Sequence, residues 1–330
     1  MTETTLTPTG TAIVLELDGV RAEFGTVAAV LRSLTVNGHD LVQPTPADEA
    51  PAMCNGAVLS PWPNRVRAGK WMLDGAVQQL DITEPARGGS LHGLLQFTDY
   101  TVTERSDAAV TLAATVFPQH GWPFLLDTWI RYQLTPDGLT ATHGVTNRAT
   151  ASAPYAIGTH PYLRVGDAAI ADLQLTVPAD SYFDVDERLD PIGEVPVEGT
   201  AFDVRSPQRV GGLAFDTAFG GLTHADVTEG PTGTRGDVAW LTAPDGSRTT
   251  LWQDVAWGYV QVFTTHVFPV RGGHGGDGHS GGGLIDAIAV EPMTAPPDAL
   301  NSGQGLIHLD PGQSWQGSWG LRYAGGNEGE

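Results

Sequence analysis

The chain of 330 residues contains a single cysteine, Cys54, so it can assemble neither an intramolecular disulfide framework nor a cysteine-built zinc site. Basic residues are scarce as well: 17 Lys and Arg stand against 38 Asp and Glu, for a formal net charge of -21. A surface of that sign repels phosphate backbones and anionic bilayers, which argues against nucleic-acid or membrane partners and for a neutral or weakly charged one. No apolar run approaches the ~20 residues that span a bilayer, and Met1 to Gly10 carries Thr and Glu where an export signal would be basic. A cytoplasmic protein with a solvated acidic surface is expected, as a monomer or homodimer.

Glycine and proline, by contrast, are abundant. The 42 glycines and 23 prolines make up about a fifth of the chain, against roughly 12 % in ordinary usage, so turns should be many and long helices few. Asp-Gly pairs at Asp18-Gly19, Asp74-Gly75, Asp137-Gly138 and Asp245-Gly246 each lie between apolar segments, the strongest short-range signal for a β-hairpin. Around the third, Ile130, Tyr132 and Leu134 alternate with polar residues, and Leu139, Ala141, His143 and Val145 alternate on the return. The same period of two recurs at Val110, Leu112, Ala114 and Val116, as half-buried antiparallel strands require. No stretch keeps a helical apolar spacing without a Gly or Pro, so the expected fold is all-β, a sandwich or barrel in one domain over residues 1–330. Cys54 is expected as a small core residue.

The one low-complexity segment runs from Arg271 to Gly283 and holds His274, Asp277 and His279 among glycines. Imidazole and carboxylate are good metal ligands, but so glycine-rich a chain loses much entropy on ordering. The segment reads as a mobile loop, and no metal is expected.

Four separated patterns set polar or titratable residues among turn formers or at strand ends: Pro61-Trp62-Pro63-Asn64-Arg65, Ser90-Leu91-His92-Gly93, Gly158-Thr159-His160-Pro161-Tyr162 and Val290-Glu291-Pro292-Met293. Such positions present side chains to a cleft from a rigid scaffold. Arg65 reads either as a surface ion pair or as a guanidinium aimed at ligand oxygens from a loop stiffened by two prolines and a tryptophan. His92, flanked by glycines, either caps a turn or meets a ligand where the backbone approaches closely. Pro161 restricts His160 to an extended conformation, which suits a fixed proton-transfer group. Glu291 ends the apolar run that starts at Leu284, and a carboxylate partly buried there needs a purpose or a partner.

Taken in order, these patterns resemble the aldose 1-epimerase (galactose mutarotase-like) family over most of the chain. The likeness includes Asn64-Arg65 with Gly69, Leu91-His92-Gly93, Gly144-Val145-Thr146-Asn147, Gly158-Thr159-His160-Pro161-Tyr162 and Phe215-Asp216-Thr217-Ala218-Phe219. It continues through Val260-Gln261-Val262-Phe263, Val290-Glu291-Pro292-Met293-Thr294, Asn301-Ser302-Gly303 and Leu309-Asp310-Pro311-Gly312. The resemblance implies a large twisted β-sandwich with an open monosaccharide cleft and no cofactor. Carried over residue by residue, it implies Glu291 as general base and His160 as general acid. His92 would bind and polarise the sugar, and Arg65, Asp216 and Gln261, with Asn64 beside them, would hydrogen-bond its hydroxyls. Pro161-Tyr162-Leu163-Arg164 departs from the pattern that often follows the active-site histidine in the galactose-active branch, which leaves the sugar open. The Arg271 to Gly283 segment looks like an insertion.

Exchanging anomers requires the C1 hydroxyl to lose a proton while the ring oxygen gains one, so one acid and one base, one on either side, suffice without a metal or nucleotide. The expected charge states at neutral pH are an ionised Glu291 and a protonated His160, with Trp62 packing on the sugar's C–H face. Two other readings compete. A hexose-6-phosphate 1-epimerase would need basic residues such as Arg65, Arg67, Lys70 and Arg87 around a phosphate, and a non-catalytic sugar-binding protein would need no acid-base pair.

Overall fold

The computed structural model describes residues 6–271 and 283–326. The Gly/His-rich segment lies, at 272–282, outside the described residues.

The turns punctuate the strands for reasons visible in the backbone. Asp18 and Gly19, with φ of 43° and 85°, join the strands Ala12–Leu17 and Val20–Gly25, and Asp74 and Gly75, at 48° and 79°, join Lys70–Leu73 and Ala76–Gln79. Positive φ at both loop positions gives a twist that matches the flanking strands, and Asp-Gly tolerates it best. The third expected hairpin is present but built differently. Pro136-Asp137 forms the loop between Leu126–Thr135 and Gly138–Asn147, and Gly138 already pairs with Thr135. A Cβ on Gly138 would lie 2.0 Å from the Leu321 carbonyl oxygen, so this glycine serves the close approach of the next strand rather than the turn. Asp245-Gly246 lies in the connection between Gly233–Thr242 and Arg248–Asp254, with Gly246 at φ 86°.

The fold is all-β, with antiparallel pairing throughout its named strands. A ten-stranded sheet runs through Ala109–Val116, Leu126–Thr135, Gly138–Asn147, Ser314–Ala324, Arg248–Asp254 and Gly233–Thr242, so the last strand of the chain is inserted centrally between two earlier ones. A seven-stranded sheet follows the order Pro191–Pro196, Ala179–Val185, Asp216–Leu222, Tyr259–Val270, Gly283–Met293, Gly158–Thr159 and Val58–Leu59. A four-stranded sheet comes from the first 40 residues. Leu15, Phe24, Ile130, Leu321, Val260 and Val290, drawn from all three sheets, belong to one buried cluster. Each such side chain contributes roughly 1.5–3 kcal/mol of burial. The alternation read along Leu126–Thr135 holds: Ile130, Tyr132 and Leu134 are buried while Arg131 and Gln133 are not. Among the described residues the one α-helix is Ala299–Ser302, and no helix is long and apolar enough to cross a membrane.

Candidate active site

The seven-stranded sheet supplies the acidic wall of a cleft. Gln261 lies directly opposite Glu291 across the pair Tyr259–Val270 and Gly283–Met293, so both side chains project from one face of the sheet. Asp216 lies opposite Phe263, two residues along from Gln261 and therefore on that same face. Gln261 Nε2 donates to Asp216 Oδ1 at 2.7 Å.

His160 follows the short strand Gly158–Thr159, which pairs with both Met293 and Val58–Leu59. Its N–H donates to the Ala57 carbonyl at 3.1 Å and its carbonyl accepts from the Gly56 N–H at 2.8 Å, so the backbone is pinned on both sides. The Tyr162 ring stacks on the imidazole with centroids 5.2 Å apart. His160 Nε2 thereby comes within 3.4 Å of Glu291 Oε1. The expectation of a base and an acid on opposite sides of the sugar is corrected here. Both groups stand side by side on one wall, because their strands are neighbours in a single sheet.

Asn64, Arg65 and His92 come from the other rim, where Arg65–Val66 pairs with Ser90–Leu91. Asn64 and His92 both adopt positive φ, at 55° and 62°. A Cβ on Gly93 would fall 2.1 Å from the Ser60 carbonyl oxygen, which explains the glycine after His92. Arg65 donates to Glu84 through Nε at 2.7 Å and Nη2 at 3.0 Å, and Nη2 lies 3.7 Å from Asp216 Oδ2. The guanidinium is ion-paired and also lines the cleft. Trp62 departs from its expected role. It is 1 % exposed and packs against Trp122 in the core, with ring centroids 5.6 Å apart.

Asn64, Arg65, His92, His160, Asp216, Gln261 and Glu291 all line one cavity of about 320 Å³. Arg67 and Lys70 do not line it. Glu84, Arg87, Tyr162 and Phe263 also do, as does Cys54, expected in the core. Of the cleft-lining groups, Glu291 Oε2, His160 Nδ1, Gln261 Oε1 and Tyr162 Oη are buried without a hydrogen-bond partner among the described residues. Leaving such an atom unpaired costs about 1–3 kcal/mol, so their convergence marks a place where a polar ligand is wanted. Two larger concavities, of about 620 and 650 Å³, contain no buried, unpaired side-chain atom of this kind among the described residues.

Burial governs the charge states. It pushes the Glu291 carboxyl well above the usual carboxylate range, aided by Asp216 and opposed by Arg65. It holds His160 down, at about 4, and His92 well below its ordinary value, with Arg65 disfavouring the cation in both. Asp216 is raised by burial against the pull of Arg65, and the Cys54 thiol is pushed up to about 11, first by burial and then by Glu291. The expected protonated histidine is thus corrected, and the Glu291 carboxyl is shifted toward its neutral form. A desolvated site favours the neutral form of each.

The twisted antiparallel architecture is that of the galactose mutarotase-like proteins. A GalM/aldose epimerase homologue from C. elegans superposes with a TM-score of 0.80 at 19 % identity, covering 96 % of this chain and all of that one. A putative aldose 1-epimerase from Escherichia coli K12 does so at 0.76 and 19 % identity, covering 95 % and 99 %. The chain belongs to the aldose 1-epimerase family, whose model matches residues 11–322. In sequence it is similar to the uncharacterized protein YihR of Escherichia coli (strain K12), at 30 % identity over 306 residues, 92 % of this chain and 90 % of that protein. It is also similar to the galactose mutarotase of Homo sapiens, at 33 % identity over 176 residues, about half of each chain.

Proposed function

We propose that this chain is an aldose 1-epimerase that interconverts the α and β anomers of a free, uncharged aldohexose by acid-base ring opening and closure. The observation that carries the reading is the pair His160 and Glu291, 3.4 Å apart, in a cleft lined by hydrogen-bonding groups. The two oxygens that must exchange protons, the C1 hydroxyl and the ring oxygen, are bonded to the same carbon. Adjacent catalytic groups therefore match them better than groups on opposite faces.

Burial raises Glu291 and lowers His160, which favours the sharing of one titratable proton between the two. Whichever partner holds that proton, the pair presents one donor and one acceptor. One group takes the proton of the C1 hydroxyl as the other protonates the ring oxygen. The ring opens, the C1 aldehyde rotates, and reclosure on its other face reverses both transfers. A positioned acid or base contributes roughly 10²- to 10⁴-fold each.

The remaining groups hold the sugar. His92 Nδ1 accepts from the Asn64 N–H, so its Nε2 bears the proton and donates to a sugar oxygen. Arg65, with Nη1 left over from its ion pair, Asn64, Asp216 and Gln261 read the hydroxyls, while Tyr162 and Phe263 offer the apolar contact first sought in Trp62. The hexose-6-phosphate reading is weaker because Arg67 Nε pairs with Asp190 at 3.6 Å and Arg65 with Glu84. Polarimetry on freshly dissolved α-glucose and α-galactose tests the proposal. Anomer exchange faster than buffer supports it, and buffer-level rates with demonstrable sugar binding would leave a non-catalytic binder.

A further inference from the structure

One carboxylate holds both arginines of the cleft. Glu84 engages Arg65 through its two oxygens, at 2.7 and 3.0 Å, and Oε1 also lies 3.6 Å from Arg87 Nε. The Glu84 backbone is anchored beside them. Its N–H donates to the Gly89 carbonyl at 3.1 Å, and its own carbonyl accepts from Arg87 and Gly88 at 3.2 and 2.9 Å. Asp216 adds a second carboxylate 3.7 Å from Arg65 Nη2. Neither guanidinium facing the cleft is left with an uncompensated charge, although two arginines this close would otherwise form the forked donor set that phosphate prefers.

We infer that Glu84 is a specificity-determining residue: by holding Arg65 and Arg87 it denies the cleft a paired-guanidinium anion site, so that uncharged sugars are admitted and sugars bearing a phosphate are refused. The inference rests on the reading of this cavity as a monosaccharide cleft. A phosphate entering it must displace Glu84 from its arginines or lie against the Glu84 and Asp216 carboxylates, and like-charge juxtaposition of that kind is unfavourable. Glu84 acts through the arginines rather than on the reacting atoms. Removing its charge should therefore do more than weaken the site, because it creates an affinity that was absent.

Calorimetric titration of the intact protein with equilibrium glucose and with glucose 6-phosphate tests this for the wild type, Glu84→Gln and Glu84→Asp. Wild type and Glu84→Asp are expected to prefer glucose. Glu84→Gln is expected to shift the ratio of the two Kd values toward the phosphate by about tenfold or more. A wild type that prefers the phosphate overturns the inference, as does a Glu84→Gln protein whose ratio matches the wild type. If Glu84→Gln does not fold, the wild type is titrated with glucose 6-phosphate at low and high salt. An affinity that holds or improves as salt rises supports the inference, and one that weakens about tenfold or more reveals free arginines and overturns it. Failure of the sugar-cleft reading would look different, as an absence of glucose binding and of anomer exchange in the wild type.

Discussion

Asn64 and His92 bind each other through two hydrogen bonds: the His92 N–H donates to the Asn64 carbonyl at 2.9 Å, and the Asn64 N–H donates to His92 Nδ1 at 3.2 Å. The imidazole is thereby held in the tautomer with its proton on Nε2, and burial keeps it neutral. His92→Asn keeps a residue that tolerates the positive φ of this position but is too short to donate to the sugar. A loss of about 10²-fold in kcat/KM is expected, the usual size for one preorganised donor, with Tm changed by only a few degrees. Polarimetric kinetics beside a thermal melt check this, and unchanged kinetics would remove His92 from sugar recognition.

The pair His160 and Glu291 sets the pH dependence of kcat/KM. Below about 4, where His160 gains its proton, the pair carries two protons and lacks an acceptor. Above the raised value of Glu291 it carries none and lacks a donor. A broad bell is expected, with its acid limb near 4 rather than near the ordinary 6.5 of histidine. A limb at 6.5 would show that an imidazolium is needed in the free enzyme.

Glu291 should also cost stability. Its folded value is raised above the unfolded one, so the stability it contributes is complete below the unfolded carboxyl value and is lost as pH rises through the folded one. Glu291→Gln has no charge to lose, and its Tm should exceed that of the wild type by a margin that grows between pH 5 and 8. Differential scanning calorimetry at several pH values reads this directly. A margin that shrinks with rising pH would show that Glu291 is ionised and well paired in the folded protein.

Trp62 gives a contrasting case. Its indole is buried against Trp122 and belongs to the main core cluster, so Trp62→Ala should cost about 3–5 kcal/mol in a denaturant titration. The milder Trp62→Phe should leave KM within about twofold, since the ring does not line the cleft and changes at non-contacting sites act independently. A tenfold rise in KM for Trp62→Phe would restore it as a sugar platform.

How much of this was readable in advance varied with the physics involved. Hairpins at Asp18-Gly19 and Asp74-Gly75 were legible because positive φ is a local demand that few residues meet. Gly138 was misread in detail, since its reason is a neighbouring strand nearly 200 residues away. Asn64, Arg65, His92 and His160 stood out locally through their proline and glycine neighbours, and Glu291 as a carboxylate at the end of an apolar run. Asp216 and Gln261 came only from family likeness, because the hydrogen bond that joins them exists only once their strands pair. Glu84 carries no motif at all, and its importance depends on two arginines that fold against it. The neutral state of His160 and the upward shift of Glu291 follow from burial, which a residue's place in the chain does not reveal.

The most direct test compares anomer exchange by the wild type, Glu291→Gln and His160→Asn, followed by polarimetry on freshly dissolved α-galactose and α-glucose, with sugar affinity measured in parallel. The account predicts wild-type exchange well above buffer, both variants near the buffer rate, and binding by Glu291→Gln within about tenfold of wild type because the amide keeps the shape but cannot pass a proton. Undiminished turnover by Glu291→Gln or by His160→Asn would contradict it.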